Sequence, residues 1–324
     1  MQIPPEVVAA KEALEDVWLE QGLVTGIDFG VRDEEEPNPE DLALRIFVSD
    51  ASNVPIEVTT AMQAFPFPVV VIQRRFRMTQ LPDLQPYRPV AGGVSTGPSR
   101  LLNGGRFSSG TLGAIVTDPL DPTLLLGLSN YHVLCVDAHR QSGDEIVQPE
   151  ATILGVLPGS RIGTLYAWSF PETTLVGLVD AAACRLDIEA RREIVEIGVT
   201  SGVVEPSIGM LVSKRGRTTG RTFGWISGLD GSYPLDYPEL PPVVNSLGQA
   251  TSLRIFKRQM QIHIDFPQSI VFGESGDSGS LVIGTGDRVV GLYFAGGSNE
   301  MDEPLKYGVA NYATNVERLL GVDF

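Results

Sequence analysis

From Gly110 to the C-terminus the chain is a succession of short apolar, β-forming runs, about ten residues apart, each ended by glycine, proline or charge. Thr111–Thr117, Leu124–Leu128, Gly143–Val147, Ile162–Leu165 and Val179–Leu186 form a first set. Met210–Ser213, Thr222–Ser227, Leu253–Ile264, Leu281–Ile283, Val289–Phe294 and Tyr307–Ala310 form a second, and Thr314–Leu320 predicts a short terminal helix. The 35 glycines and 23 prolines, against 7% aromatic residues, suit a turn-rich β protein better than a helical one. The expected fold is mainly β.

The first 78 residues are patterned differently. Pro4-Pro5-Glu6 opens a stretch with Val8, Leu14, Val17, Trp18 and Leu19 at mostly helical spacing, closed by Gly22. Leu23–Val31 and Leu42–Val48 read as strands around the acidic loop Asp33–Asp41. Pro55–Gln63 reads as a short helix, and Val69–Met78 as a strand ending in Arg74, Arg75 and Arg77. This α-β-β-α-β order predicts a small α+β domain, 1–78. It holds no His, no Cys and no Gly-rich phosphate loop, so no catalytic role is expected of it. Residues 79–109, with Pro82, Pro86, Pro89, Pro98, Gly92-Gly93 and Gly104-Gly105, predict a linker open to nicking. Residues 110–324 remain as the main domain.

The chemistry gathers around Gly276-Asp277-Ser278-Gly279-Ser280, between Ile270-Val271-Phe272 and Leu281-Val282-Ile283. A serine flanked by glycines in a tight turn has an exposed hydroxyl. The same turn leaves backbone N–H groups free to converge on one point, which an oxyanion hole needs. Serine alone is a poor nucleophile, so a base and a group that orients it must come from elsewhere. Of the three histidines, His132 sits where the apolar Leu128 strand gives way to a turn; His139 and His263 read as solvated or structural. Asp180 is a lone charge in the apolar segment Val179-Asp180-Ala181-Ala182-Ala183-Cys184. Each residue alone has a commoner use, as a core histidine, a cap or a chance glycine turn. In the order His, Asp, Ser they form the set used by two-barrel serine proteases.

On these residues the chain resembles the trypsin-like, chymotrypsin-fold serine peptidases. Val212-Ser213-Lys214-Arg215-Gly216-Arg217-Thr218-Thr219-Gly220 is similar to the segment after the interbarrel crossing in their bacterial, disulfide-poor branch. The resemblance covers residues 90–324 and leaves the N-terminal domain as an addition. It implies two six-stranded antiparallel β-barrels, with His132 and Asp180 on the first and Ser278 on the second. It implies a serine endopeptidase in which Ser278 attacks, His132 carries the proton and Asp180 orients the imidazole. The oxyanion would be met by the N–H groups of Gly276 and Ser278. The substrate pocket is expected around Phe272, Glu274, Ser275, Phe294, Gly296 and Gly308. Phe272 at the floor, in place of a carboxylate, favours a small or apolar side chain over Arg or Lys. Asp277 is expected to pair with an internal cation, Lys214 first and Arg217 second. The Pro- and Tyr-rich insert Asp230–Pro242 could overhang the cleft, but a solvated surface loop is the expected reading.

A formal net charge of −16 lacks the cationic face that nucleic acid requires. No run of 18 apolar residues occurs, so no transmembrane helix and no membrane partner are expected. Glu6, Lys11, Glu12, Glu15 and Asp16 leave no apolar stretch for a secretory signal, and a cytoplasmic location is expected. Cys135 and Cys184 make no disulfide scaffold and read as buried free thiols. With no His-x-x-x-His pair, neither metal nor other cofactor is expected. The partners expected are a protein or peptide substrate and, through residues 1–78, a regulatory partner or autoinhibition. Two alternatives stay open: a catalytically silent binding module on the same fold, and an esterase-type serine hydrolase. An esterase elbow would need glycine where Ser280 stands.

Overall fold

The computed structural model describes residues 3–34, 36–77, 83–102, 105–152, 154–266, 268–269, 271–298 and 306–324. Helix α1 (Pro5–Glu20) is ended by Gly22, which turns into the left-handed region at φ 69°. β1 (Gly26–Val31), β2 (Leu42–Val48), α2 (Ile56–Met62), β3 (Val69–Gln73) and β4 (Arg75–Arg77) follow. α1 buries Val7, Trp18 and Leu19 in a cluster with Ile27, Phe29, Leu44 and Ile46 of the strands.

The expected linker is corrected. β5 (Val90–Gly92) and β6 (Val94–Pro98) lie inside it, because its glycines and prolines bound strands instead of preventing them. Its residues 79–82 and 103–104 fall outside the described residues. The first barrel is built from β6, β7 (Gly110–Leu112), β8 (Ala114–Thr117), β9 (Leu125–Ser129), β10 (Glu145–Val147) and β11 (Arg161–Ser169). α3 (Tyr131–Leu134) leaves the end of β9; after β11, β12 (Val176–Gly177) crosses to the other sheet, and β13 (Ala181–Leu186) returns. The order is β7-β6-β10-β11-β13-β9-β8. Since β7 and β8 are halves of one strand interrupted at Gly113, the two ends meet and the sheet closes with six strands. β14 (Ala190–Ile194) pairs in parallel with β5.

The second barrel closes in the same way. β15 (Leu211–Gly216) pairs with β16 (Gly220–Asp236), and the short β17 (Val243–Val244) and β18 (Ala250–Thr251) cap the tip of the next hairpin. β19 (Leu253–Ile264), β20 (Leu281–Ile283), β21 (Val289–Ser298) and β22 (Tyr307–Tyr312) continue the sheet as β15-β20-β21-β22-β19, and β19 pairs back onto β16. The chain finishes on α4 (Ala313–Val316), which runs on as a further helical turn over Glu317–Gly321. Both sulfurs, Cys135 and Cys184, are free and buried. Among the described residues no helix is long and apolar enough to cross a membrane.

The N-terminal strands do not form a sheet of their own, which corrects the expectation of a separate α+β unit. β1 pairs antiparallel with β16 (Ile27↔Ser232, Gly30↔Gly228), β2 with β1, and β3 in parallel with β2, so all three extend the second barrel's sheet. Strand β16, at 17 residues, is long enough to serve both the barrel and this extension. Buried charges lock the junction. Arg45 donates to both Asp28 oxygens at 2.6 Å and to Gln261 of β19 at 3.1 Å, and Arg74 donates to Gln261 at 2.6 Å and Glu34 at 2.6 Å. Burial pushes the Glu34 carboxyl up, but the guanidinium groups of Arg74 and Arg45 outweigh it and hold the pKa at about 2.

Candidate active site

β9 delivers Asn130 and then the single turn of α3, which carries His132 to the mouth of the cleft between the barrels. Asp180 stands just ahead of β13 and is fully buried. Its Oδ2 lies 2.6 Å from His132 Nδ1, and its Oδ1 accepts the His132 backbone N–H at 3.2 Å. The Asp180 backbone is fixed as well: Asn130 Nδ2 donates to its carbonyl at 2.7 Å, and its N–H donates to Asn311 Oδ1 at 3.1 Å. A second donor reaches the carboxylate. The Tyr237 hydroxyl donates to Asp180 Oδ2 at 2.7 Å. Burial and the adjacent Asp180 charge push the Tyr237 phenol well above its ordinary pKa, so it stays protonated as a donor.

Tyr237 belongs to the insert expected to be a solvated loop, and that expectation is corrected. Strand β16 runs to Asp236 and hands the chain directly to Tyr237, which is 4% exposed and packs edge-on against Phe170 with ring centroids 4.9 Å apart. Nothing in the sequence marked this tyrosine apart from its place in an insert rich in Pro and Tyr. Its partner is 57 residues away, a distance local patterns do not bridge.

Ser278 lies in the turn between β19 and β20, with Gly276 at φ 92° and Gly279 at φ 95°. Both glycines are required twice over. The left-handed backbone disfavours a side chain, and a Cβ on Gly276 would strike the Arg217 guanidinium, one on Gly279 the Thr111 carbonyl and Ser129 hydroxyl. The first barrel holds this turn from the other side: Thr111 N–H donates to the Ser278 carbonyl at 2.8 Å and Thr111 Oγ1 to the Gly276 carbonyl at 2.7 Å. Among the described residues, the backbone N–H groups of Gly276 and Ser278 have no acceptor. Ser278 Oγ donates to the Phe294 carbonyl at 3.4 Å, and no hydrogen bond joins it to His132. His132, Ser275, Gly276, Ser278 and Tyr237 line one cleft of ≈ 360 Å³.

Asp277 points away from the cleft and is fully buried. Lys214 Nζ, also fully buried, lies 2.8 Å from its Oδ2, which accepts from Thr219 Oγ1 at 2.6 Å and Glu274 N–H at 2.9 Å. Its Oδ1 accepts from the Thr218 and Thr219 N–H groups at 2.9 and 3.2 Å. Burial alone would raise this carboxyl, but the Lys214 ammonium and these donors hold it below its usual range. Burial lowers the Lys214 ammonium, against the pull of Asp277. Arg217 turns elsewhere and pairs with Glu150.

Of the expected pocket residues, the structure brings only Ser275 to the cleft surface. Phe272 and Phe294 are fully buried, and the Phe272 ring occupies the space left by the missing side chain of Gly308. Gly308 pairs with Gly296 across β21 and β22. The expected open pocket floored by Phe272 is therefore corrected: the aromatic ring fills the volume it was expected to border. Glu274 flanks the turn, where burial and Asp277 raise its carboxyl. Among the described residues no group of three His, Cys, Asp or Glu is placed to hold a metal.

No family model and no curated protein matches the chain. Among solved structures, Thermobifida fusca Protease A is similar over 72% of this chain and 97% of its own, with 15% identity and a TM-score of 0.47. The Nocardiopsis protease is similar over the same shares, with 17% identity and a TM-score of 0.47. The Cellulomonas bogoriensis chymotrypsin shares 18% identity at a TM-score of 0.46. Two of these neighbours are proteases by name and the third a chymotrypsin, and a likeness at this level assigns no residue here a role.

Proposed function

We propose that this chain is a serine endopeptidase. The observation that carries the reading is the meeting of three groups at one cleft: the Asp180–His132 pair, with its 2.6 Å contact; Ser278 in its glycine turn; and two backbone N–H groups without acceptors. In this reading Ser278 Oγ rotates from the Phe294 carbonyl toward His132 and attacks the scissile carbonyl carbon, passing its proton to the imidazole Nε2. Asp180 holds Nδ1–H and so fixes the tautomer, stabilising the imidazolium that forms. The N–H groups of Gly276 and Ser278 meet the oxyanion. Collapse breaks the C–N bond, His132 gives its proton to the leaving amine, and the acyl group stays on Ser278 until water, deprotonated by His132, releases it. The Lys214–Asp277 pair holds the oxyanion turn in shape.

The test is labelling with a fluorophosphonate probe beside turnover of casein and of a short ester. Wild-type protein should label and cleave casein, and Ser278→Ala should abolish labelling and lower kcat on the order of 10⁶-fold. Absence of labelling in the wild type, or casein turnover surviving in Ser278→Ala, would overturn the reading. Ester turnover without casein turnover would favour an esterase.

A further inference from the structure

One edge of β21 runs past the nucleophile, and its partners change along it. β20 pairs with it as far as Leu292 (Leu281↔Leu292). At Tyr293 the partner is the nucleophile turn itself: Gly279 N–H donates to the Tyr293 carbonyl at 2.8 Å and Tyr293 N–H to the Ser280 carbonyl at 2.9 Å. Phe294 then offers its carbonyl to Ser278 Oγ. Beyond it the same edge is taken by β4, antiparallel, with Gly296↔Arg77, Gly297↔Phe76 and Ser298↔Arg75. The opposite edge is held by β22 as far as Gly297↔Tyr307.

An extended peptide can dock by adding a strand to a sheet edge, using main-chain hydrogen bonds that are blind to its sequence. To present a carbonyl to Ser278 while lying along this sheet, it must use the edge of β21 that starts at Phe294. Direction matters. From Arg75 to Arg77, β4 advances from Ser298 toward Gly296, that is, toward the nucleophile. That is the N-to-C direction the acyl half of a substrate would take. β4 is also firmly anchored. Arg74, the residue before it, is fully buried, with its guanidinium 3.1 Å from the centre of the Tyr307 ring and 4.7 Å from that of Phe47. The Arg74 N–H donates to the Val48 carbonyl at 2.8 Å, and the Arg74 carbonyl accepts from Thr25 Oγ1 at 2.5 Å.

We propose that residues 75–77 hold in cis the sheet edge on which an extended peptide substrate docks, so the full chain restrains its own endopeptidase site. The inference rests on the peptidase reading above. The occupant it competes with is an unstructured polypeptide, selected by backbone pairing. The rest of the N-terminal segment is the anchor that keeps β4 at high local concentration, and release of β4 alone opens the edge.

The test compares the full chain with Phe76→Pro, and with the triple substitution Arg75→Gly, Phe76→Gly, Arg77→Gly, which leaves Arg74 and its anchor in place. Proline removes an N–H and disfavours strand pairing, and glycine weakens the strand without forcing it away. Two rates are read: fluorophosphonate labelling of Ser278, which needs no strand pairing, and cleavage of an eight-residue chromogenic peptide. The expected result is a KM for the peptide lowered about tenfold or more in both variants, since apparent affinity scales with the fraction of open edge. Labelling should stay unchanged. Unchanged KM in variants whose melting temperature shows them folded refutes the self-restraint and leaves β4 as edge protection only. Absence of labelling in every protein overturns the peptidase reading instead.

Discussion

Replacing Tyr237 with phenylalanine removes one oxygen and nothing else. The ring keeps its packing on Phe170 and Phe256, whose centroids lie 4.9 and 5.8 Å away, so the cleft wall keeps its shape. What is lost is the 2.7 Å hydrogen bond to Asp180 Oδ2, the same oxygen that faces His132 Nδ1. A hydrogen bond to a buried charged group contributes about 1.5–3 kcal/mol. If that interaction acts through the orientation of the imidazole, about 1.4 kcal/mol per decade puts the fall in kcat at about ten- to hundredfold. The loss stays below the roughly 10⁴-fold expected for Asp180→Asn, because Asp180 keeps its contact with Nδ1 and its bond from the His132 backbone. KM should hold within about twofold, since the lost hydroxyl is turned to the buried Asp180 carboxylate and not to bound substrate. The assay is steady-state kinetics on a peptide, with the low-field proton resonance of the imidazole Nδ1–H as a direct report on the Asp180–His132 bond. A variant with wild-type kcat and an unmoved resonance would show that Asp180 needs no third group, and the positioning role of Tyr237 would be wrong.

Two further outcomes follow from buried charges. Lys214→Met strands the Asp277 carboxylate and should cost about 3–5 kcal/mol, divided between melting temperature and a weakened Gly276–Ser278 turn, whereas Arg217→Met leaves the Lys214–Asp277 contact intact and should cost activity less. Equal kinetics in both variants would refute the assignment of Lys214, whereas melting temperature alone would not, since Arg217→Met strands the Glu150 carboxylate. The Glu34 carboxyl, held at about 2 in the fold against an ordinary 4.5, contributes stability that is fully present above pH 4.5 and is lost as pH falls toward 2. The difference amounts to about 3 kcal/mol. Denaturant titrations at pH 5 and 2.5 should show Glu34→Gln losing less stability over that interval than the wild type; parallel losses would count against it.

The parts of the site legible in the sequence are those whose chemistry is local. Gly276 and Gly279 announce a turn that no side chain tolerates, and a lone Asp180 in an apolar run stands out because an isolated buried charge needs a reason. Lys214 could be singled out only through the resemblance of its segment, Val212–Gly220, to that of a known family. The rest depends on pairing between distant strands. Tyr237 meets Asp180 only because β16 extends across from one barrel to the other. Phe272 closes the space beside Gly308 because β22 brings that glycine under its ring, and sequence spacing around Ser278 does not contain that contact. The N-terminal strands show the same limit: their α-β-β-α-β order reads as an independent unit, and only the register Gly30↔Gly228 reveals the shared sheet.

That shared sheet sets what breaking the chain can do. Between Arg77 and Val90 one covalent path joins the N-terminal piece to the barrels, but the pieces also meet through a strand ladder, the Asp28–Arg45–Gln261 cluster and the bond from Lys11 to Ser232 at 3.0 Å. Cutting that path removes none of these. A molecule cleaved there would show two bands on a denaturing gel and elute as one particle from a sizing column. Its shorter fragment would leave only on unfolding, since departure would part Arg45 and Arg74 from Gln261 and strip that buried amide of both guanidinium donors. The first 77 residues thus behave as a bound subunit that happens to be encoded in the same chain.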